Sequence, residues 1–362
     1  MSVILFLVVL FVLVLVHEWG HFIVAKKTGM RVDEFGIGFP PKLYGVKKGE
    51  TEYTLNALPI GGFVRIYGEN SEDVVEMSAP GDGSFTSKSK WAQAAVLVAG
   101  VTMNVLFAWF LFSVTYMVGV PTAIDETVVT DQAKLYVSNV LPDGPAAAVP
   151  PGAVVESISG NGNTVSNPTP SAFSTVVLDT APAPVSVTYV YKDETETVSL
   201  TPVQGLITEE PDKYVVGTSL SLVEIKKRPF FTAIADGFSA TYHGLISIAV
   251  GLWTLLSQAF VGQADLSQVA GPVGIVGMVG DAASFGMVAL LTFTAIISLN
   301  LAVINLLPFP ALDGGRLVFV SIEAMTKKRI PPEWAGRLNL AGFALLMILM
   351  IAVTYNDIIR LL

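Results

Sequence analysis

The sequence predicts a polytopic α-helical membrane protein. It should have four membrane-crossing helices, a membrane-associated β-element between the first two, and one β-rich domain inserted before the third. Three observations predict this. Of 362 residues, 52% are hydrophobic and only 14% charged, whereas about a quarter of a soluble globular chain is charged. Four apolar stretches approach or exceed the roughly 20 residues a helix needs to cross hydrocarbon. A strongly acidic block separates two of them: residues 121–225 hold 13 acids against 3 Lys/Arg.

The first apolar stretch, Val3 to Ala25, follows Met1-Ser2, which offers no basic n-region, and ends in His-Glu-Trp-Gly-His rather than a small-residue cleavage site. Both features predict a retained span rather than a removed signal peptide. The second stretch is Trp91 to Val120, the third Phe285 to Leu307, and the fourth Leu338 to Val353 with an interfacial extension from Tyr355 to Leu362. Two membrane halves follow, 1–120 and 285–362.

Between the first two stretches, glycines, prolines and alternating residues such as Tyr53, Leu55 and Ala57 predict short strands. Turns are expected at Lys48-Gly49 and at Pro59 to Gly62. This β-element covers about 36–68, and a dip into the membrane is tolerated only where protein or water satisfies its backbone. Within 121–225, the alternation of Val185, Val187, Tyr189 and Tyr191 followed by a turn near Asp193 predicts a hairpin. "TPSAFSTVVLDTA" predicts one helix capped near Thr169.

Charge at the end of a membrane-length apolar run is expensive, so an ionisable residue there points to function. His17-Glu18-Trp19-Gly20-His21 places two of the three histidines of the chain four residues apart. On a helix, positions i and i+4 share one face, so both imidazoles can bind one metal ion while Glu18 sits beside them. Zinc lowers the pKa of the water it polarises to about 7, and Glu18 can take that proton and pass it to a leaving amine. A catalytic zinc takes three protein ligands. The chain has no cysteine, so the candidate third ligand is Asp313, followed by Gly314-Gly315 and preceded by the helix breakers Pro308 and Pro310.

Asp313 meets the histidines only if the C-terminal ends of the first and third spans lie on the same side. Residues 121–284 must then cross an even number of times. Phe230 to Val261 is therefore expected to be a surface-lying or amphipathic helix, or a hairpin, and 226–284 a linker. Residues 26–90 carry 9 Lys/Arg and residues 316–337 carry 5, which places this end toward the cytoplasm. The cluster Lys226-Lys227-Arg228 on the opposite side is discordant. The acidic balance argues against nucleic-acid binding.

In "HEWGHFIVAKKTGMRVDEFGIGFPPKLYG", "TEYTLNALPIGGFVRIYGE", "AGPVGI" and "NLAVINLLPFPALDGGRL" the chain resembles the site-2 protease family of intramembrane zinc metalloproteases, of the bacterial regulator-of-sigma-E protease type. The resemblance implies zinc ligands at His17, His21 and Asp313, with Glu18 as general base. It also implies substrate-binding roles for Asn305, for Asn104 in the second span, and for Gly61, Gly62 and Phe63 in a reentrant β-element that would pair with substrate as an added strand. The family's second-span motif has Gly-Pro where this chain has Gly100-Val101. The 121–225 block resembles a PDZ domain at "VLPDGPAAA" and "GAVVESISG", which would act outside the cytoplasm as a steric filter for substrates already trimmed there.

The implied protein is a multi-pass enzyme of a bacterial cytoplasmic membrane. Its partners are the lipid bilayer and a transmembrane protein substrate, such as an anti-sigma factor or a remnant signal peptide. A non-catalytic PDZ-containing membrane adaptor would predict a broken metal set. A proton-relay transporter would predict two related halves. The sequence shows neither.

Overall fold

The computed structural model describes residues 2–69, 81–128, 130, 132–207, 210–263 and 269–361. Parts of the expected 121–225 domain and of the stretch 226–284 fall outside these. The chain divides into two compact units, one formed by 1–115 with 229–362 and one by 116–228.

In the first unit, helix α1 covers Ser2–Lys27. It is followed by strands β1, Val32–Lys48, and β2, Thr51–Ile66, with the turn at Gly49, whose φ is +64°. The two strands fold over themselves. Glu34 pairs with both Arg65 and Glu52, and Ile37 with both Gly62 and Leu55, while Lys42 to Lys48 pair back onto Asn56 to Thr51. Residues 34–37 thus lie between two segments of β2. Trp19 and Phe22 of α1 pack edge-on against Phe35, and Phe22 also packs against Tyr53, which fastens the curled sheet to the helix that carries the histidines. The sheet exposes Phe39, Leu43, Tyr44, Leu55 and Leu58, apolar surface suited to hydrocarbon.

Helix α2, Lys90–Val118, begins in the first unit and runs into the second. A buried cluster of Ala25, Met30, Val32, Ile66, Phe85, Val96, Leu97 and Val320 ties α1, the curled sheet and α2 to a later helix at the end of the unit where the candidate ligands lie.

The second unit is a seven-stranded antiparallel sheet with one helix. Its strands are β3 Val120–Ala123, β4 Lys134–Val140, β5 Val154–Gly160, β6 Asn163–Ser166, β7 Val185–Tyr191, β8 Glu194–Leu200 and β9 Thr218–Lys226. They lie in the order β3-β9-β4-β5-β7-β8, with β6 beside β5. Helix α3, Pro170–Thr180, starts at the Thr169 cap, whose Oγ1 accepts from the Ala172 N–H. Leu135, Val137, Val155, Ile158, Phe173, Val177, Val185 and Val187 lie in its core, alternate residues of β4 and β7 pointing inward and β5 shifting register between Val155 and Ser157.

Helix α4, Phe230–Phe260, corrects the sequence reading. It is a single unbroken helix, not a hairpin, and with the other four it makes five described helices long and apolar enough to cross a membrane, not four. Three of its hydroxyl side chains are satisfied within the helix. The hydroxyls of Thr241 and Thr254 donate to the carbonyls of Gly237 and Val250 one turn back, and Ser257 donates to Thr254, so they present little unpaired polarity to hydrocarbon. The even-crossing requirement bears on the whole of 121–284 and by itself says nothing about whether this helix is long enough to span.

Helix α5, Pro272–Ser284, is short. Its first turn is capped from a distance, the buried Asp357 carboxylate accepting from the N–H groups of Gly271 and Gly274, as suits the positive end of a helix. Helices α6, Met287–Leu306, α7, Asp313–Thr326, and α8, Pro332–Leu361, complete the unit.

Candidate metal centre

His17 and His21 are successive-turn neighbours on α1, both buried, with ring centroids 4.7 Å apart and planes at 83°. They face α2, and the fit depends on missing side chains. A Cβ at Gly100 would lie 2.3 Å from His21 Nε2 and 2.7 Å from a ring carbon of His17, and one at Gly20 would lie 2.4 Å from the Ala99 carbonyl oxygen. The two glycines let the helices approach closely enough for α2 to line the imidazoles. Glycine inside a helix costs about 1 kcal/mol relative to alanine, and close approach is the packing reason for both.

The third donor arrives on broken chain. Helix α6 ends before Pro308, Ala311 takes a left-handed φ of +75°, and its N–H donates to the Asn339 side chain on α8. The chain then re-enters helix at Asp313. Gly314 and Gly315 are required there: a Cβ would lie 2.2 Å from the carbonyl oxygens of Leu307 and Phe309 respectively. This tuck brings Asp313 Oδ2 to 3.1 Å from His17 Nε2 and 3.3 Å from His21 Nε2, and the two Nε2 atoms are 3.1 Å apart. Among the described residues these three form the group able to hold a metal ion.

The donor set fits zinc. Tetrahedral ligation with bonds of 2.0–2.1 Å places ligand atoms about 3.3–3.4 Å apart, close to the three observed separations. Asp313 Oδ2 is buried without a hydrogen bond, as expected of an atom meant for a cation. His21 Nδ1 lies 2.8 Å from the Val96 carbonyl oxygen; donating there, it leaves Nε2 with its lone pair aimed inward.

Glu18, half-buried beside the imidazoles, accepts the Val64 N–H of β2 at 3.1 Å. Gly61 and Gly62 pack against Val14 and Leu15 of α1, just before His17, and Phe63 pairs with Gly36 and stacks on Phe39. Asn104 is fully buried, its amide 3.2 Å from His17 Nδ1. Asn305 lies half-buried in the last turn of α6 and makes no side-chain hydrogen bond among the described residues. The structure thus brings His17, His21, Asp313 and Asn104 into direct proximity and sets Glu18 and β2 beside them, while Asn305 touches none of them through a hydrogen bond.

Sequence reasoning missed Gly20, Gly100, the Val96 carbonyl and Val64. Isolated glycines inside apolar helices were the available signal for the first two. The others act through backbone atoms, which no residue type marks. A cavity of about 980 Å³, lined in part by Glu69, Gln93, Arg316, Glu323 and Asn339, reaches Asp313.

A model of peptidase family M50 matches residues 5–349. A Clostridium perfringens protein is 37% identical over 96% of this chain and 95% of its own length. The zinc metalloprotease RasP of Oceanobacillus iheyensis is 30% identical over 99% of both chains, and the regulator of sigma-W protease RasP of Bacillus subtilis is 29% identical over 99% of both. A quarter of the chain is similar to 90% of a PDZ domain of an SdrC-like protein from Listeria monocytogenes, at 22% identity and a TM-score of 0.21, a likeness too loose to argue from.

Proposed function

The chain belongs to peptidase family M50, as an intramembrane zinc metalloprotease of the site-2 type, and on that premise we propose that His17, His21 and Asp313 are its zinc ligands and Glu18 its general base. The observation that carries this assignment is the mutual spacing of the three donor atoms, 3.1–3.3 Å. Zinc bound there supplies Lewis-acid activation of a water nucleophile. Glu18 accepts the proton of that water and returns it to the leaving nitrogen, its carboxylate oriented by the Val64 N–H. The curled sheet supports a role for Gly61 to Phe63 in holding substrate. A helical carbonyl is hydrogen-bonded and shielded, so a transmembrane substrate must be drawn into an extended strand before water can attack it. Asn305, near the Asp313 turn, is proposed to hold the substrate backbone.

The site faces the cytoplasm of a bacterium in this reading, because the Lys/Arg-rich stretches 26–90 and 316–337 adjoin it, and the acidic 121–225 domain lies outside. A groove of about 290 Å³ beside α3 and β9 supports a PDZ-like reading of that domain. The substrate class is a membrane-embedded remnant, an anti-sigma factor or signal peptide. That choice draws on the Bacillus subtilis relative, whose name describes regulation of sigma-W.

Zinc content of the purified chain and of His21→Ala, with cleavage of a tethered transmembrane helix, tests the assignment. One zinc per chain, lost in the variant together with cleavage, is expected. Cleavage surviving in zinc-free His21→Ala would overturn it.

A further inference from the structure

We propose that Asn104 is a positioning residue, which fixes His17 in its metal-binding tautomer by accepting the His17 Nδ1–H on its amide oxygen. The inference rests on the assignment of His17 as a ligand and departs from the substrate-binding role that the resemblance implies for Asn104.

Each imidazole turns its Nε2 toward Asp313 Oδ2, so each can offer a metal only that nitrogen. A neutral imidazole carries one proton, which must then sit on Nδ1, and a buried N–H needs an acceptor. For His21 the acceptor is the Val96 carbonyl at 2.8 Å. For His17 the partner at Nδ1 among the described residues is the Asn104 amide at 3.2 Å.

The recorded amide orientation puts Nδ2 toward the ring and leaves Oδ1 buried with no hydrogen bond. The two ends of a carboxamide are interchangeable by a half-turn that moves no other atom, and that half-turn pairs the orphaned oxygen with Nδ1–H. Asn104 is 0% exposed. It meets the ring at Nδ1, whereas Asp313 meets it at Nε2. Its own backbone carbonyl accepts the hydroxyl of Ser298 on α6 at 2.8 Å, which holds this point of α2 in place. An outer partner of this kind sets ring orientation and ligand basicity, and altering it costs about 10–100-fold in metal affinity.

Full-length protein in detergent is titrated with zinc against a competing chelator, as wild type, Asn104→Leu, Asn104→Asp and His17→Ala. The Leu variant, with the same number of side-chain heavy atoms and no acceptor, is expected to bind zinc about 10–100-fold more weakly. The Asp variant, which keeps the acceptor, should bind at least as tightly as wild type. Wild-type affinity in Asn104→Leu, with weakened cleavage alone, would overturn the proposal in favour of a substrate contact. Should the variants fail to fold, histidine-labelled wild type provides the same decision. Nitrogen chemical shifts of the zinc-loaded protein place the His17 proton on Nδ1 if the inference holds, and a proton-free Nδ1 sinks it. Retention of zinc by His17→Ala removes the ligand assignment and overturns this proposal with it.

Discussion

The inserted unit and the membrane unit read differently from sequence, and the difference is one of solvent. In residues 116–228 water is the reference, so burial leaves a period-two trace: Val185, Val187 and Tyr189 point inward from β7, and the Thr169 cap sits where its residue type predicts. In the membrane unit the surroundings are as apolar as the interior. Helix α8 exposes Leu340, Phe343 and Ile348 with no periodic contrast to mark an inner face. Fold there is legible only from length and from residues that do not belong: histidine, aspartate, glycine and proline.

The largest expected effect tests whether a glycine among apolar residues carries more of the site than any apolar residue around it. Gly100→Val puts a branched Cβ where His21 Nε2 lies 2.3 Å away. Helix α2 cannot retreat without losing the Val96 and Asn104 contacts to the imidazoles. Zinc affinity should fall beyond the about 10–100-fold of an outer-partner change and cleavage should vanish, with helix content by circular dichroism unchanged. Val101→Ala, its neighbour, should keep both. Zinc binding that survives in Gly100→Val would break the contrast.

Next comes the turn that delivers Asp313. Gly315→Ala places a Cβ 2.2 Å from the Phe309 carbonyl, a backbone atom that cannot swing aside. Overpacking of this kind costs about 1–3 kcal/mol, expected as a lowered thermal midpoint together with about tenfold weaker zinc binding. An unchanged midpoint would mean the tuck is slack.

The same contrast explains what the sequence concealed. The histidine pair was legible because helix periodicity alone superposes residues four apart, and Asp313 because prolines and glycines announce a broken helix. Helix α4 was misjudged because the reading settled it by counting crossings, whereas its length, its apolar composition and hydroxyls that bond back to their own helix are local properties that a crossing count does not test. Val64 and the Val96 carbonyl were invisible because every residue has a backbone.

In the inserted unit a polar deletion should be modest. Tyr189, buried on β7, donates its hydroxyl to Glu196 at 2.6 Å. That bond, with burial and the nearby negative charge adding to it, pushes its pKa up to about 12. Because the folded value is raised above the ordinary 10, the neutral phenol's contribution is complete below about pH 10 and is lost as pH rises through 12. Tyr189→Phe should cost about 1 kcal/mol at neutral pH, read by urea unfolding of the full chain with a probe in this unit. The gap from wild type should close between pH 10 and 12. A gap independent of pH would assign the loss to packing.

The smallest effect concerns the turn between β7 and β8. Lys192 and Asp193 occupy left-handed backbone, with φ of 51° and 64°, the pattern of a two-residue turn whose twist matches the strands. Asparagine and glycine meet that geometry with less strain than lysine and aspartate. Lys192→Asn with Asp193→Gly should therefore stabilise the hairpin by about 0.5–1 kcal/mol, part of the relief being offset by the greater freedom glycine has when unfolded. The register from Val185↔Leu200 to Tyr191↔Glu194 should hold, since a one-residue slip would turn Val185, Val187 and Tyr189 out of the core. Slower hydrogen exchange of the β7 and β8 amides in the full chain, with zinc binding untouched, is the expected result. Faster exchange would show that tertiary packing, and not local turn chemistry, sets this hairpin, and the inserted unit would then resemble the membrane unit in hiding its determinants from the sequence.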